Sequence, residues 1–245
     1  MTTERHLLLL GGMMCDQRVW KHQLQELAGG FDSIQVADLT GSDSIQRLAA
    51  SALAAAPDRF VLAGLSLGGI VAFECFRQAP GRITHLVLLD TNPFAEKPER
   101  QALRDPEIRR AVSGELREMM VDGFKPAYLG SRCRDDQAML GEILDMAMDL
   151  GPGVFARQSV ALRDRPDSSA TLDRIQCPTA VVCGAEDVLC PLAYHQFMAA
   201  HIPSASLTAL EGCGHLAPLE SPGEVNRIIL ELSEKPSEST YETKH

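Results

Sequence analysis

Long apolar segments and clustered positive charge are both missing from this sequence. No segment approaches the ~20 consecutive apolar residues of a membrane-spanning helix. The apolar run near the start extends only from Leu7 to Leu10, which is too short for the core of a signal peptide. Lys and Arg number 23 against 33 Asp and Glu, so the formal net charge is −10. Because nucleic acids and anionic membranes bind clustered Lys and Arg, we expect neither as a partner. The short apolar segments lead us to expect a cytoplasmic protein.

Paired cysteines are also missing. The seven cysteines are scattered, and no two of them form a Cys-x-x-Cys pair. This pattern is typical of reduced, buried thiols. Cys213 lies two residues before His215, but no further ligands follow at the spacing of a zinc site. We therefore predict no metal and no other cofactor.

Apolar segments alternate with helical patterns along most of the chain, and 45% of its 245 residues are hydrophobic, which is ample for a large core. Strands that are apolar on both faces and alternate with helices predict an α/β fold, with a parallel sheet covered on both faces. The predicted strands are Arg5–Leu10, Ser33–Leu39, Phe60–Leu65, Thr84–Leu89, Thr179–Cys183 and Ala205–Leu210. The helices predicted around them are Val19–Ala28, Ser44–Ala56, Leu67–Ala79, Leu192–His201 and Pro222–Leu232.

The alternation stops between about Phe94 and Ser168, where amphipathic helical stretches follow one another without a convincing strand. We interpret this all-helical insert after the fourth strand as a cap. The predicted domains are a core of residues 1–93 and 169–233, a cap of residues 94–168, and a polar tail, 234–245, that we expect to be disordered. The predicted cap helices are Glu99–Val112, Ser113–Tyr128, Asp135–Asp149 and Pro152–Arg163.

The methionine and aromatic side chains of the cap have two possible roles. Most are expected to pack the cap onto the core, and some of them could line an adaptable apolar pocket. The candidates are Phe94, Met119, Met120, Phe124, Tyr128, Met139, Met146, Met148 and Phe155.

The segment from Phe60 to Ala72 carries the most specific chemical signal. An apolar strand runs into Gly64-Leu65-Ser66-Leu67-Gly68, and a helical pattern follows. A serine at so sharp a turn projects its hydroxyl, and the flanking glycines let strand and helix pass closely. The pattern predicts Ser66 as a nucleophile; the structural alternative is a tight turn with an incidental serine.

A serine nucleophile needs a base within hydrogen-bond reach and a carboxylate that orients this base. In parallel sheets, reactive groups gather in the loops at the carboxyl ends of the strands. Asp187 follows the fifth predicted strand and His215 follows the sixth, with Glu186 as the rival acid. The order Ser, Asp, His is the one found in α/β-hydrolases.

With these three motifs in this order, the chain resembles the α/β-hydrolase superfamily up to about Leu232, in its small, capped branch of esterases, lactonases and carbon–carbon bond hydrolases. The resemblance implies the α/β-hydrolase fold with about six mainly parallel strands and a helical cap after the fourth. It implies Ser66 as nucleophile and His215 as general base and then general acid. Asp187 rather than Glu186 would fix the imidazole tautomer, since the matching motif has its acid four residues before Pro191.

The resemblance also implies an oxyanion hole formed by two backbone N–H groups. One belongs to Leu67, and the other comes from the loop after the first strand, where Met13 is the expected donor and Met14 the alternative. Relatives usually carry His-Gly where this chain has Gly11-Gly12. The backbone N–H survives that change, but the hydrogen bonds of the histidine are lost.

The predicted function is that of a serine hydrolase that cleaves a carboxylic ester or lactone of a small, largely apolar substrate through an acyl-enzyme. One alternative is a carbon–carbon bond hydrolase for a vinylogous diketone, in which a cap arginine could bind a substrate carboxylate. The arginines considered for that role are Arg132, Arg134, Arg157 and Arg163. The alternative from another class is a ligand receptor on the same fold. Of the remaining histidines, His195 is expected on an exposed helix face.

Overall fold

A single six-stranded sheet forms the centre of the computed structural model, which describes residues 4–124 and 127–237. Every pairing in the sheet is parallel, and the strand order is β2-β1-β3-β4-β5-β6. The strands are β1 (His6–Leu10), β2 (Ser33–Ala37), β3 (Phe60–Leu65), β4 (Ile83–Leu89), β5 (Thr179–Gly184) and β6 (Ala205–Leu210). All six predicted strands are confirmed, with ends that differ by no more than two residues.

The burial of the strands follows from their places in the sheet. Every residue of β3 and β5 is buried, as expected for inner strands of a parallel sheet with both faces covered. The edge strands β2 and β6 are partly exposed. Alternate residues of β1 enter different cores: Leu7 and Leu9 face one hydrophobic cluster, and Leu8 and Leu10 face the other. The sheet therefore separates two cores.

Helices cover the two faces in two groups. One core contains residues of α2 (Ile45–Ala55), α3 (Leu67–Gln78) and α7 (Leu192–His201). The other contains residues of α8 (Ala217–Glu220) and α9 (Pro222–Ser233), on which α1 (Lys21–Glu26) packs. Among the described residues, no helix is of a length and apolarity that would let it traverse a lipid bilayer.

The described residues between β4 and β5 form helices and turns but no strand, as predicted. They include α4 (Pro98–Arg110), α5 (Leu116–Glu118) and α6 (Gln137–Arg163). α6 breaks at Gly151, where φ is 75° and a proline follows, so it comprises two helical segments close to those predicted. The bounds of the cap at 94–168 stay a prediction, and most of the predicted tail lies outside the described residues.

Residues of the helical insert belong to both hydrophobic clusters: Ala161 and Leu162 lie in the one that contains residues of α2 and α3. Met119, Met120, Met146 and Phe155 are buried in the same cluster as the core residue Leu216. For these four side chains, the packing role expected from the sequence is confirmed.

Two glycines allow α3 to cross close to the sheet. A methyl group on Gly68 would lie 2.1 Å from the carbonyl oxygen of Leu10, and one on Gly64 would lie 2.5 Å from the carbonyl oxygen of Gly68. Both distances are far inside van der Waals contact and involve backbone atoms that cannot move aside. The chain therefore needs glycine at both positions, as predicted.

We expect Gly68→Ala to destabilise the fold, because the new methyl group pushes α3 away from β1. The expected loss is at least about 2 kcal/mol, or roughly 4–8 °C in Tm, as for an overpacked core of this size. Thermal unfolding followed by circular dichroism measures it. Gly141→Ala is the matched control, since Gly141 lies inside α6 with open space around it, and alanine there should stabilise by about 0.5–1 kcal/mol. An unchanged Tm in Gly68→Ala would contradict the close crossing.

Candidate active site

Ser66 occupies a sharp turn between β3 and α3. Its φ of 53° and ψ of −112° are unusual for a residue with a side chain. The turn is held by two hydrogen bonds: the Ser66 N–H donates to the Leu89 carbonyl at 2.9 Å, and the Thr91 hydroxyl donates to the Ser66 carbonyl at 2.7 Å. The strained serine is therefore fixed from both sides by the end of β4.

His215 connects Ser66 to Asp187. Its Nε2 lies 2.9 Å from Ser66 Oγ, and its Nδ1 lies 2.8 Å from Asp187 Oδ2. The Tyr128 ring lies over the imidazole at a centroid distance of 6.0 Å and an angle of 23°. These contacts place a base next to the hydroxyl and a carboxylate behind the base.

Asp187, not Glu186, faces the imidazole. Asp187 Oδ1 accepts hydrogen bonds from the N–H groups of Leu189 (2.8 Å) and Cys190 (3.0 Å), which leaves Oδ2 for His215. Glu186 is exposed and accepts instead from the N–H and hydroxyl groups of Ser131, at 2.7 and 2.6 Å. The structure thus brings Ser66, His215 and Asp187 together and leaves the rival acid outside.

The charges of the site stabilise the protonated form of the imidazole relative to the same imidazole buried alone. Burial alone would lower the pKa of His215, but the charge and hydrogen bond of Asp187 outweigh it and raise that pKa above its usual value. Burial acts to raise the pKa of Asp187, yet His215 and the two backbone donors lower it. Asp187 therefore stabilises the imidazolium that forms when the base takes a proton.

Asp90 is a buried carboxylate that the sequence reasoning missed. It directly follows β4 with a φ of 46°, and it accepts from the Gly184 N–H at 2.8 Å and the Ala217 N–H at 3.1 Å. Burial, with the nearby charge of Asp187, raises its pKa to about 7. Asp90 therefore ties the ends of β4 and β5 to the first residue of α8. A polar residue at the carboxyl end of a buried strand was the signal for it.

Glu220 is a second missed carboxylate. Its oxygens accept hydrogen bonds from the N–H groups of Gly130 (2.7 Å), Gly214 (3.0 Å) and Leu216 (3.1 Å). Since the His215 N–H donates to the Tyr128 carbonyl at 2.7 Å, the loop that carries the base is bonded on both sides of the histidine. Glu220 also joins this loop to the cap at Gly130.

His195 is fully buried, so the expectation of an exposed helix face was wrong. Its Nε2 accepts from the Thr91 N–H at 3.1 Å, and burial lowers its pKa to about 4. α7 covers the sheet at this point, so the side chain meets a backbone donor instead of water.

Asp90, Cys183 and His195 have potential metal-binding atoms within 4.8 Å of one another. The carboxylate oxygens of Asp90 and the Nε2 of His195 already accept hydrogen bonds from backbone N–H groups. We therefore assign no metal to this cluster.

The loop after β1 lies beside the serine. A methyl group on Gly12 would be 3.6 Å from Ser66 Cβ. The Met14 N–H donates to Gln158 Oε1 at 2.8 Å, whereas the Met13 N–H has no acceptor among the described residues. Leu67 is the first residue of α3, so its N–H has no partner within the helix. This pattern supports Met13 over Met14 as the second oxyanion donor; the Gln158 contact was not foreseen.

A cavity of about 270 Å³ opens onto Ser66 and His215. Of the side chains expected to line a pocket, Phe124 and Tyr128 do so. None of the four arginines considered for a substrate carboxylate is among the described residues that line this cavity. They bind other groups instead: Arg132 the Glu211 carbonyl, Arg157 the Thr40 carbonyl, Arg134 the Glu186 carboxylate and Arg163 the Asp105 carboxylate. The charged residues that line the cavity are Glu96, Arg100, Arg104 and Arg165.

Known proteins share this sequence pattern and fold. A sequence model described as the alpha/beta hydrolase family matches residues 7–228. A pimeloyl-[acyl-carrier protein] methyl ester esterase of Aromatoleum aromaticum is 28% identical, with 92% of this chain and 96% of that protein covered. The structure of a thermophilic esterase from Thermogutta terrifontis, with malate bound, is 28% identical and matches with a TM-score of 0.85 over 94% of this chain and 89% of that one.

An enol-lactonase from Burkholderia xenovorans LB400 shares the fold as well. Its TM-score is 0.83 at 17% identity, with 95% of this chain and 92% of that one covered.

We expect the pKa of His215 to lie above its usual ~6.5 and to fall in Asp187→Asn, because the neutral amide no longer stabilises the imidazolium while burial continues to oppose it. NMR titration of the imidazole signals measures both values without any substrate. Asp173→Asn, at an exposed carboxylate, is the matched control and should leave the pKa unchanged. The same His215 pKa in Asp187→Asn and the parent protein would show that Asp187 does not set it.

Proposed function

The chain belongs to the alpha/beta hydrolase family, and from this premise we propose that it is a serine hydrolase that cleaves a carboxylic ester or lactone through an acyl-enzyme on Ser66. One observation carries the proposal: Ser66 Oγ, His215 and Asp187 form a continuous row of hydrogen bonds of 2.9 and 2.8 Å at the floor of a cavity. The volume of about 270 Å³ supports a small-molecule substrate.

In the first half of the reaction, Ser66 Oγ attacks the carbonyl carbon as His215 Nε2 takes the hydroxyl proton. The bond to the leaving oxygen then breaks, and the same proton passes from Nε2 to that oxygen. The alcohol leaves, and the acyl group stays on Ser66 as an ester. Asp187 keeps the other ring nitrogen protonated, so Nε2 is free to act as the base.

Water completes the cycle by the same route. His215 takes a proton from a water molecule that attacks the acyl carbonyl, and then returns it to Ser66 Oγ as the acid departs. In both halves, the negative oxygen would be bound by the N–H groups of Met13 and Leu67. Each such donor contributes about 3 kcal/mol to the stability of the transition state, and the amino end of α3 adds a favourable dipole.

The relatives favour ester hydrolysis over the two alternatives. The similar proteins named above are an esterase for a methyl ester, a thermophilic esterase and an enol-lactonase. Breaking a carbon–carbon bond in a diketone would use the same three residues, but none of the relatives named above is named for that reaction. We also propose a cytoplasmic location, which the seven free cysteines support.

We expect Ser66→Ala to lower kcat for p-nitrophenyl acetate by about 10⁴-fold or more, because no other group can form the acyl-enzyme. Release of p-nitrophenolate measures the rate. Ser51→Ala is the matched control: Ser51 is exposed on α2, and the rate should not change. Hydrolysis by Ser66→Ala at the parent rate would exclude Ser66 as the nucleophile.

A fluorophosphonate probe separates an enzyme from a ligand receptor. We expect rapid labelling of Ser66, found by mass spectrometry of the labelled peptide, together with many turnovers of the ester per protein molecule. Labelling with a single slow turnover would instead support the receptor.

A further inference from the structure

The charged side chains of the catalytic cavity do not balance. Besides His215, the acidic and basic residues among the described ones that line it are one glutamate and three arginines. Glu96 is shared between two of these arginines: its Oε2 lies 2.7 Å from Arg104 Nη2, and its Oε1 lies 3.0 Å from Arg165 Nη1. All three side chains are only 7% exposed. One buried negative charge therefore faces two buried positive charges.

Arg100 adds a third positive charge to the wall. Its guanidinium binds both oxygens of Glu107, at 2.8 and 2.7 Å, but Glu107 is not among the residues that line the cavity. Burial lowers the pKa of Arg104 and the charge of Arg100 lowers it further, while Glu96 and Glu107 act to raise it. With Glu107 paired to Arg100, the three arginines and two glutamates leave one uncompensated positive charge, that of Arg104 and Arg165 against Glu96.

Some hydrogen-bond donors on this wall have no acceptor within the described part of the chain. Arg165 Nε donates to the Phe94 carbonyl at 2.8 Å and Nη1 to the Leu162 carbonyl at 3.2 Å, so the guanidinium plane is fixed. Its Nη2 has no acceptor among the described residues. Within the same described part of the chain, the Tyr128 hydroxyl has no partner, and Arg104 Nη1 contacts only the Met13 thioether sulfur, at 3.7 Å.

Such a wall fits an anion. A buried guanidinium without a full set of partners costs free energy, and a carboxylate matches the planar fork of its donors in both charge and shape. The partners within the protein, which are Glu96 and two carbonyls, already hold Arg165 in place. A bound carboxylate would therefore find its donors preorganised.

The wall lies within the reach of a small substrate. Arg104 Nη1 is 3.7 Å from Met13 Sδ, and an extended methionine side chain places its sulfur about 5 Å from its own backbone nitrogen. The guanidinium is therefore no more than about 9 Å from the proposed oxyanion donor at Met13. At ~30 Å³ per water molecule, a volume of about 270 Å³ holds about nine waters, or a ligand of about ten non-hydrogen atoms.

We propose that Arg100, Arg104 and Arg165 form a carboxylate subsite in the catalytic cavity, and that the preferred substrates are small esters or lactones with one free carboxylate a few carbons from the reacting carbonyl. Monomethyl glutarate represents this class. The inference names a substrate class for the same site and so rests on the proposed function.

The first experiment compares monomethyl glutarate with methyl 5-amino-5-oxopentanoate, in which a neutral amide replaces the carboxylate at the same size. We expect kcat/KM to be about 10- to 100-fold higher for the carboxylate, as for hydrogen bonds to a charged group. Both Arg165→Gln and Arg100→Gln should bring this ratio towards one. Arg165→Gln leaves Glu96 paired with Arg104, so the variant removes the surplus charge without isolating a buried carboxylate.

Arg109→Gln is the matched control. Arg109 lies on α4, the helix that carries Arg100 and Arg104, but it is exposed and outside the described cavity lining. This variant should keep the parent ratio. A ratio near one in the parent protein, or a ratio that neither cavity variant lowers, would overturn the proposal.

A binding experiment separates this proposal from the proposed function. Calorimetry with monomethyl glutarate and with methyl 5-amino-5-oxopentanoate, on the Ser66→Ala variant, needs no turnover. Tighter binding of monomethyl glutarate that Arg165→Gln and Arg100→Gln weaken, but Arg109→Gln does not, supports the subsite even if no ester is hydrolysed. Equal binding of the two compounds would contradict it, even if simple esters are hydrolysed.

Discussion

The crossing of α3 over β1 fixes the position of the serine. Gly68 lies so close to the Leu10 carbonyl that no side chain fits between them, and α3 must begin directly after Ser66. The turn between β3 and α3 is therefore short, and Ser66 has a φ of 53°. The same crossing brings the loop after β1 beside the serine: a Cβ on Gly12, the neighbour of Met13, would lie 3.6 Å from Ser66 Cβ, and Leu67 directly follows the serine. One backbone contact thus sets the strained turn and the proposed anion site together.

The base is held in a different way, by acceptors around its loop. Each backbone N–H from Gly214 to Ala217 donates to a fixed oxygen: two bind Glu220, one binds the Tyr128 carbonyl and one binds Asp90. Four consecutive N–H groups with buried acceptors leave this segment little freedom. Such preorganisation lets the imidazole meet the serine hydroxyl without first being ordered. The two carboxylates act on the base through its backbone, whereas Asp187 acts on the ring.

Local patterns in the sequence predicted the sheet and the three residues at its carboxyl edge. Ser66, Asp187 and His215 each follow a strand within a short recognisable motif, so their meeting place followed from the parallel sheet. Asp90 and Gln158 carry no such motif, because their contacts join residues 94, 127 and 144 positions apart. The exposure of His195 was predicted wrongly for the same reason, because only tertiary packing decides which face of α7 is buried.

The cavity has carboxylates around His215 at one end and arginines on its wall. This separation of charge explains why an anionic substrate would bind at the arginines. Around His215, Asp187 is an ionised carboxylate, while burial raises the pKa of both Asp90 and Glu220. An anionic substrate near this group would be repelled, and low dielectric would strengthen the repulsion. The surplus charge of Arg104 and Arg165 lies in the same cavity and offsets it. The carboxylates can then stabilise the imidazolium while the arginines hold the distant end of an anionic substrate, so each charge is stabilised by its own set of groups.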